Sequence, residues 1–408
     1  MSFDAECSAS EYLNRALAFG AVATSIAKPF TSWERNAPNE PFLQVGLVSG
    51  DFCLHPVGFF LESVIAYLDS EKIQLHAFSN RTSGDPLQTS LKSRVSTWTS
   101  IVGLSDESAA KLIHDARLDL LIDLSGHTGK NRLSLFAWRP APVQATWLGY
   151  WASTGVAEID YILTDRYAVP DKNHNQFSEK VRYLPDTRLC FTPPSAVYDL
   201  TCSPSPSVRQ RYTTFGCYQP IRKLTPEVLV VWGKIFKQLP TSRFRLQGAG
   251  FTDAATRADL LRRLDTAGIP NDQVLFFEST PRLDYLKSHA EVDMILDSFP
   301  YPGGTTTCDA LWMGVPTVTL AGNTMLSRQG VSLLMCAGLP DWIAHSEEDY
   351  VSIAVAKARD ITQLNSLRSS LRNRVFKSPL FDAPNFAKHL EVAFHAMVLD
   401  KKVSTGKS

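Results

Sequence analysis

A chain of 408 residues, 44% hydrophobic and 20% charged, has the composition of a soluble globular enzyme and the length for two ordinary domains. Lys+Arg and Asp+Glu balance at 41 each, so no overall positive field would recruit nucleic acid or an anionic membrane. The seven cysteines are scattered without a CxxC pair, which argues against a zinc site or a disulfide framework. No basic, apolar leader and no run of about 18 apolar residues appears, so a cytoplasmic chain without a membrane partner is expected.

Residues 8–26 read as a short amphipathic helix, followed by a Pro- and Asn-rich stretch; 1–40 form a lead segment. Short apolar runs at 43–48, 73–78, 118–124, 143–148 and 159–163 suit buried parallel strands, with helical patterns at 57–69 and 106–117 between them. That rhythm predicts a Rossmann-like domain over 41–200. Pro193, Pro194, Pro204 and Pro206 among serines suggest a linker. A second strand series at 213–218, 243–247, 274–278, 293–297 and 316–320 alternates with helices at 225–238, 253–267, 281–290, 305–313 and 326–337. It predicts a second Rossmann-like domain over 210–375. Residues 347–400 read as wholly helical with a break near Ser378-Pro379, and 376–408 as a C-terminal helix and tail. No internal repeat of 20–50 residues is present. The expected class is α/β of GT-B type: two Rossmann-like domains facing a central cleft, with helices at both ends.

The most informative segment is Asp297-Ser-Phe-Pro-Tyr-Pro-Gly303-Gly304-Thr305-Thr306-Thr307-Cys-Asp309. A strand end, two glycines and three threonines opening a helix make an anion site. Backbone N–H groups at the positive helix end would meet a diphosphate, glycines would let it approach, and hydroxyls would add donors. Asp309, one turn on, would accept from ribose hydroxyls. The same residues would also serve as an ordinary glycine turn and Thr cap. The GK[ST] ending of a P-loop is missing.

Asp51-Phe-Cys-Leu-His55-Pro-Val-Gly follows the first long strand, where loops line the crevice of an open sheet. Its carboxylate and imidazole suit a base, a proton relay or donor positioning, and equally an Asp cap with a turn histidine. Asp123-Leu-Ser-Gly-His127-Thr and Arg139-Pro-Ala-Pro-Val-Gln-Ala-Thr-Trp147-Leu148-Gly149-Tyr150 stand at further strand ends. His127, Leu148 and Gly149 are candidate substrate contacts, whereas Trp147 reads as core. Lys223 ends the first strand of the second half and would neutralise a diphosphate leaving group without metal. Gln219, just before it, and Arg282 and Tyr285, at the start of helix 281–290, complete the candidate set. Neither a DxD triplet nor a His/carboxylate cluster with metal spacing occurs, so no metal or other cofactor is expected.

Over Leu43–His395, DFxxHP, GHT with RPAPVQATWLGY, and DSFPYPGGTTTCDALWMGVPTVTLAG together resemble the catalytic region of the protein O-linked N-acetylglucosaminyltransferase and SPINDLY family. The resemblance implies a GT-B fold and inverting, metal-independent transfer of N-acetylglucosamine from UDP to Ser/Thr hydroxyls of proteins. GDP-fucose, as in the SPINDLY branch, is the alternative donor; a non-catalytic nucleotide-sugar scaffold is the alternative of another class. By the same resemblance Lys223 stabilises the departing diphosphate, His55 stands beside donor phosphate and acceptor, and Asp51 joins a proton relay. Thr305, Thr306 and Asp309 fall on diphosphate and ribose contacts. Arg282 and Tyr285 replace a family lysine and a base-stacking histidine. Pro220 stands where an amide side chain usually lies near the lysine, and Trp151 replaces the proline after Gly149-Tyr150. The family's helical repeats find no counterpart here, so a separate acceptor-presenting partner, or a short peptide acceptor, is expected.

Overall fold

The computed structural model describes residues 8–34, 42–82, 84–194 and 200–404. The described residues up to Thr192, with those from Asp382 onward, form one compact unit; Pro193–Phe381 form the other. The C-terminal helix, expected as a separate tail, therefore belongs to the first unit.

The first unit begins with α1 (Ala9–Ile26), started by a capping box: Ser8 Oγ accepts from Glu11 N–H at 3.2 Å and Glu11 accepts from Ser8 N–H at 2.8 Å. Then follow β1 (Leu43–Ser49), α2 (Pro56–Tyr67), β2 (Ile73–Ser79), α3 (Pro86–Lys92), β3 (Thr97–Ser100), α4 (Asp106–Asp115), β4 (Leu120–Asp123), α5 (Leu133–Phe136), β5 (Val143–Thr146), β6 (Tyr161–Thr164) and β7 (Lys180–Tyr183). The sheet is parallel with order β3-β2-β1-β4-β5-β6-β7. Every residue of β1 and β4 is buried, as helix-covered central strands require. The edge strands β3 and β7 are half exposed and polar. Their sequences, TWTS and KVRY, carry no apolar run, and neither strand is predicted from pattern.

The second unit contains α6 (Pro206–Gln210), β8 (Thr214–Cys217), α7 (Pro226–Gln238), β9 (Arg243–Gln247), α8 (Ala254–Thr266), β10 (Val274–Phe277), α9 (Arg282–Lys287), β11 (Met294–Leu296), α10 (Thr305–Trp312), β12 (Thr317–Leu320), α11 (Gln329–Cys336), β13 (Ile343–Ala344), α12 (Glu347–Arg359) and α13 (Ile361–Phe376). Its sheet is again parallel, with order β10-β9-β8-β11-β12-β13. The helical stretch from 347 breaks at Asp360, whose side chain accepts from Gln363 N–H and so starts α13. α14 (Ala383–Ser404) rejoins the first unit, where Glu391 accepts from Asp69 N–H at 2.8 Å and Phe386 stacks on Trp147.

Both sheets place their first and fourth strands side by side. Each fourth strand carries one pattern, Asp119-Leu-Leu-Ile-Asp123 and Asp293-Met-Ile-Leu-Asp297. Asp119 accepts from Gln44 N–H at 3.0 Å and Asp293 from Thr214 N–H at 2.7 Å, each tying the fourth strand to the start of the first.

Candidate active site

In the second unit Gln219, Thr306 and the glycine turn gather around Lys223, while Arg282, Tyr285 and Asp309 form a second group. Lys223 lies in a short 3-10 turn after β8 and is 8% exposed. Its ammonium donates to Gln219 Oε1 at 2.8 Å and to the Pro302 carbonyl at 2.9 Å, with the Tyr301 ring 3.8 Å away. Burial pushes the lysine down to about 8, against the pull of Asp297. Gln219 turns its other end to Thr306, donating to Oγ1 at 2.8 Å. The amide that Pro220 lacks is thus supplied one residue earlier.

Gly303 and Gly304 lead into α10 without a side-chain cap on the helix start. By helix geometry the N–H groups of Thr305, Thr306 and Thr307 have no partner inside α10, which is the requirement for an anion site. Thr305 Oγ1 is buried with no protein partner, a donor available to a ligand. A Cβ on Gly303 would sit 2.6 Å from Gln219 Nε2 and from Thr307 Oγ1, so the glycine keeps this polar group closed up. Its N–H donates to Asp297 Oδ1 at 2.7 Å and its carbonyl accepts from Gln329 Nε2 at 3.2 Å.

Asp309 is 1% exposed, and both its oxygens are held by the guanidinium of Arg282, one bond being 2.6 Å. A ribose would therefore compete with, or join, an existing ion pair. Tyr285 lies one turn beyond Arg282. Its ring meets Tyr218 edge-on at 5.3 Å and His289 at 5.1 Å, and Arg282 sits 5.4 Å over it. Its hydroxyl is turned inward beside Asp309, and burial holds that phenol well above its usual range. Behind it, His289 stacks on Tyr218 at 4.4 Å, and burial drives its imidazole to about 3. Of this buried aromatic wall only Tyr285 was predicted; Tyr218 lies far from it in sequence and His289 stands in no motif.

The remaining predicted residues belong to the first unit. Asp51 and His55 follow β1, with His55 Nδ1 3.8 Å from Asp51 Oδ2. The histidine also caps α2, its Nδ1 accepting from Val57 N–H at 3.4 Å. Neutral His55 therefore carries its proton on Nε2, and burial favours that neutral form despite Asp51. The cap expected of the aspartate is thus made by the His55 imidazole instead. Asp85 fixes the loop from outside by accepting from Leu54 N–H at 2.8 Å.

His127 Nε2 donates to the Thr154 carbonyl at 2.8 Å, which leaves Nδ1 as the acceptor. Glu179, 4% exposed, holds that segment by accepting from Thr154 N–H at 2.7 Å and Ser153 Oγ at 2.7 Å. Leu148 has φ +76, and a Cβ on Gly149 would strike the Leu124 carbonyl at 2.0 Å. The 147–150 turn is thus pressed on the 124–126 loop, with Tyr150 edge-on to His127 at 5.5 Å. Leu148 is 7% exposed, so in this arrangement only its backbone and rim could meet a ligand. Glu179 and Thr154 were missed, since 25 residues separate the partners.

Two parallel-sheet α/β units, with candidate phosphate, ribose and base contacts after the strands of one of them, have the GT-B architecture. The glycosyl transferase family 41 model matches residues 11–192 and 207–390, and the chain belongs to that family. It is 36% identical over 383 residues to the probable UDP-N-acetylglucosamine–peptide N-acetylglucosaminyltransferase SPINDLY of Arabidopsis thaliana, covering 92% of this chain and 41% of that one. The chain spans about two fifths of the length of the curated relatives it matches. Among solved structures, a mutant of the Thermobaculum terrenum O-GlcNAc transferase superposes with TM-score 0.93 at 32% identity, covering 99% of this chain and 76% of that one. Anabaena HepE in complex with UDP-glucose shares the fold, with TM-score 0.57 at 12% identity over 87% of this chain and all of that one.

Proposed function

We propose that the protein transfers N-acetylglucosamine from UDP-N-acetylglucosamine to Ser/Thr hydroxyls of proteins, inverting the anomeric carbon in a single displacement without a metal. The observation that carries this reading is the buried Lys223 ammonium, held by Gln219 and Pro302 in the same group as Thr306 and the open α10 start. The names of its relatives support the donor and the peptide acceptor.

The acceptor oxygen attacks the anomeric carbon, and the bond from that carbon to the β-phosphate oxygen breaks. UDP leaves with one more negative charge, which Lys223 and the α10 N–H groups offset. The hydroxyl proton passes to the Asp51 carboxylate. His55, neutral, offers its Nε2–H to an anionic or hydroxyl oxygen.

The test is a screen of UDP- and GDP-sugars for donor hydrolysis and for transfer to Ser/Thr peptides, each with and without EDTA. UDP-N-acetylglucosamine should be the preferred donor, with full activity in EDTA. A tenfold preference for GDP-fucose would move the reading to fucosyl transfer. Loss in EDTA restored by manganese would replace the metal-free mechanism.

A further inference from the structure

Asp297 lies immediately after β11, fully buried, and has no place in the chemistry above. Its Oδ1 accepts from Gly303 N–H at 2.7 Å, its Oδ2 from the Thr319 hydroxyl of β12 at 3.0 Å, and its carbonyl from Tyr350 OH at 2.9 Å. The Gly303 N–H belongs to the same peptide group as the Pro302 carbonyl, which accepts from Lys223 at 2.9 Å. One peptide plane thus has a carboxylate on its N–H and an ammonium on its oxygen. Each polarises the bond made by the other, and together they fix the plane's orientation.

The first unit repeats the device without a lysine. Asp123, at the end of β4, accepts from Ser125 N–H at 3.1 Å, from Gly126 N–H at 2.8 Å and from the Thr146 hydroxyl of β5 at 2.8 Å. The residue after Gly126 is His127. In both sheets a fourth-strand carboxylate anchors a glycine turn to the fifth strand, and the candidate ligand residues follow that turn.

We propose that Asp297 is a positioning residue of the transfer reaction: through the Pro302–Gly303 peptide it sets the Lys223 ammonium and the glycine turn for the departing diphosphate. The inference rests on the assignment of Lys223 to the leaving group. The groups facing Lys223 are Asp297 beyond β11, Cys217 from β8, the adjacent Arg222 and the Tyr301 ring. Asp297 and Cys217 favour the charged lysine, while Arg222 and burial oppose it. Burial pushes the Cys217 thiol up to about 12, so it stays neutral during an assay, and Asp297 is the one full negative charge among them. Asp297 itself is pushed up by burial to about 6, leaving both members charged near neutrality.

Asp297→Asn preserves shape and an acceptor for Gly303 N–H but removes the charge. The alkaline limb of kcat/KM for donor hydrolysis should then move to lower pH by roughly one unit, a rate loss of about fivefold at pH 8 that approaches about tenfold at higher pH. Thr319→Val removes one hydrogen bond to the carboxylate, so Asp297 should titrate higher and the acid limb should move up. This second variant decides the matter should the asparagine protein fail to fold. Lys223→Ala, run alongside, separates the two levels of argument. Inactivity there with both limbs unmoved in the Asp297 and Thr319 variants overturns the positioning role alone. Retained activity in Lys223→Ala overturns the leaving-group assignment beneath it.

Discussion

At the residue scale the decisive quantity is the charge on Lys223. An exposed lysine would stay protonated to about pH 10, but burial brings this one to about 8. The protonated fraction is therefore lost as pH rises through 8 in the free protein. A bound diphosphate adds negative charge beside the ammonium and raises that value again. The expected outcome is a kcat/KM that falls above about pH 8 while kcat holds to higher pH, measured as full pH profiles of donor hydrolysis. Coincident limbs, or a flat profile to pH 10, would remove Lys223 from the rate-determining charge balance. Lys223→Ala should keep its circular dichroism spectrum and lose transfer by roughly 10²–10³, the value of one such electrostatic contact, about 3–4 kcal/mol. Turnover within threefold of the parent would contradict the assignment. The glycine turn and the threonines opening α10 were legible in sequence because a strand end, glycines and hydroxyls follow one another directly, whereas Lys223, a lone lysine after a strand, was singled out chiefly by the family resemblance. The Arg282–Asp309 ion pair was not, because 27 residues separate its members and nothing local requires them to meet.

At the element scale α1 shows where local preference and packing disagree. Gly20, in mid-helix, costs about 1 kcal/mol relative to alanine by propensity alone. In the structure, however, a Cβ there would lie 1.8 Å from the Gly155 carbonyl oxygen, and one on Gly155 would lie 2.1 Å from the Ala16 backbone. The helix touches the 153–156 loop backbone to backbone, Thr24 reaches Glu158 at 3.0 Å, and Phe19 meets the His127 ring edge-on at 4.9 Å. Gly20→Ala should therefore destabilise the protein by roughly 1–3 kcal/mol, the cost of overpacking, rather than stabilise it. Urea unfolding checks the sign. Val22→Ala, at a position 60% exposed on the same helix, should change stability by less than about 0.5 kcal/mol. A more stable Gly20→Ala protein would mean that α1 does not hold that loop. Sequence periodicity found α1 and most buried strands because apolar runs and caps are local signals. It missed β3 and β7, whose pairing comes from neighbouring strands, and the break at Asp360, where a cap acts without glycine or proline.

At the scale of the whole molecule, each candidate group lies at the carboxyl ends of parallel strands, centred where the strand order reverses. Asp51–His55 follow β1 and His127 follows β4; Gln219–Lys223 follow β8 and Gly303–Thr307 follow β11. First and fourth strands are neighbours in both sheets, so their outgoing loops diverge and leave a crevice, the place where open α/β sheets bind ligands. The two-sheet architecture was readable from alternating runs, but the shared Asp-x-x-x-Asp pattern of the fourth strands takes its meaning from hydrogen bonds to other strands, which no local pattern shows. This arrangement predicts where UDP leaves its mark. The diphosphate contacts proposed for it, the α10 start and Lys223, and the candidate base and ribose contacts, Tyr285 and Asp309, all belong to the second unit. Ligand held only by the folded state stabilises it by about 2.7 kcal/mol at a hundred times Kd, and local openings that break the contacts are suppressed most. Hydrogen exchange on the chain saturated with UDP should therefore slow in 217–224, 282–289 and 302–312. Strands β2 and β3, at one edge of the sheet in the first unit, should exchange unchanged, and Lys223→Ala should weaken the protection in all three segments. Protection that spares 302–312, or that appears first in β2 and β3, would place the nucleotide elsewhere in the molecule.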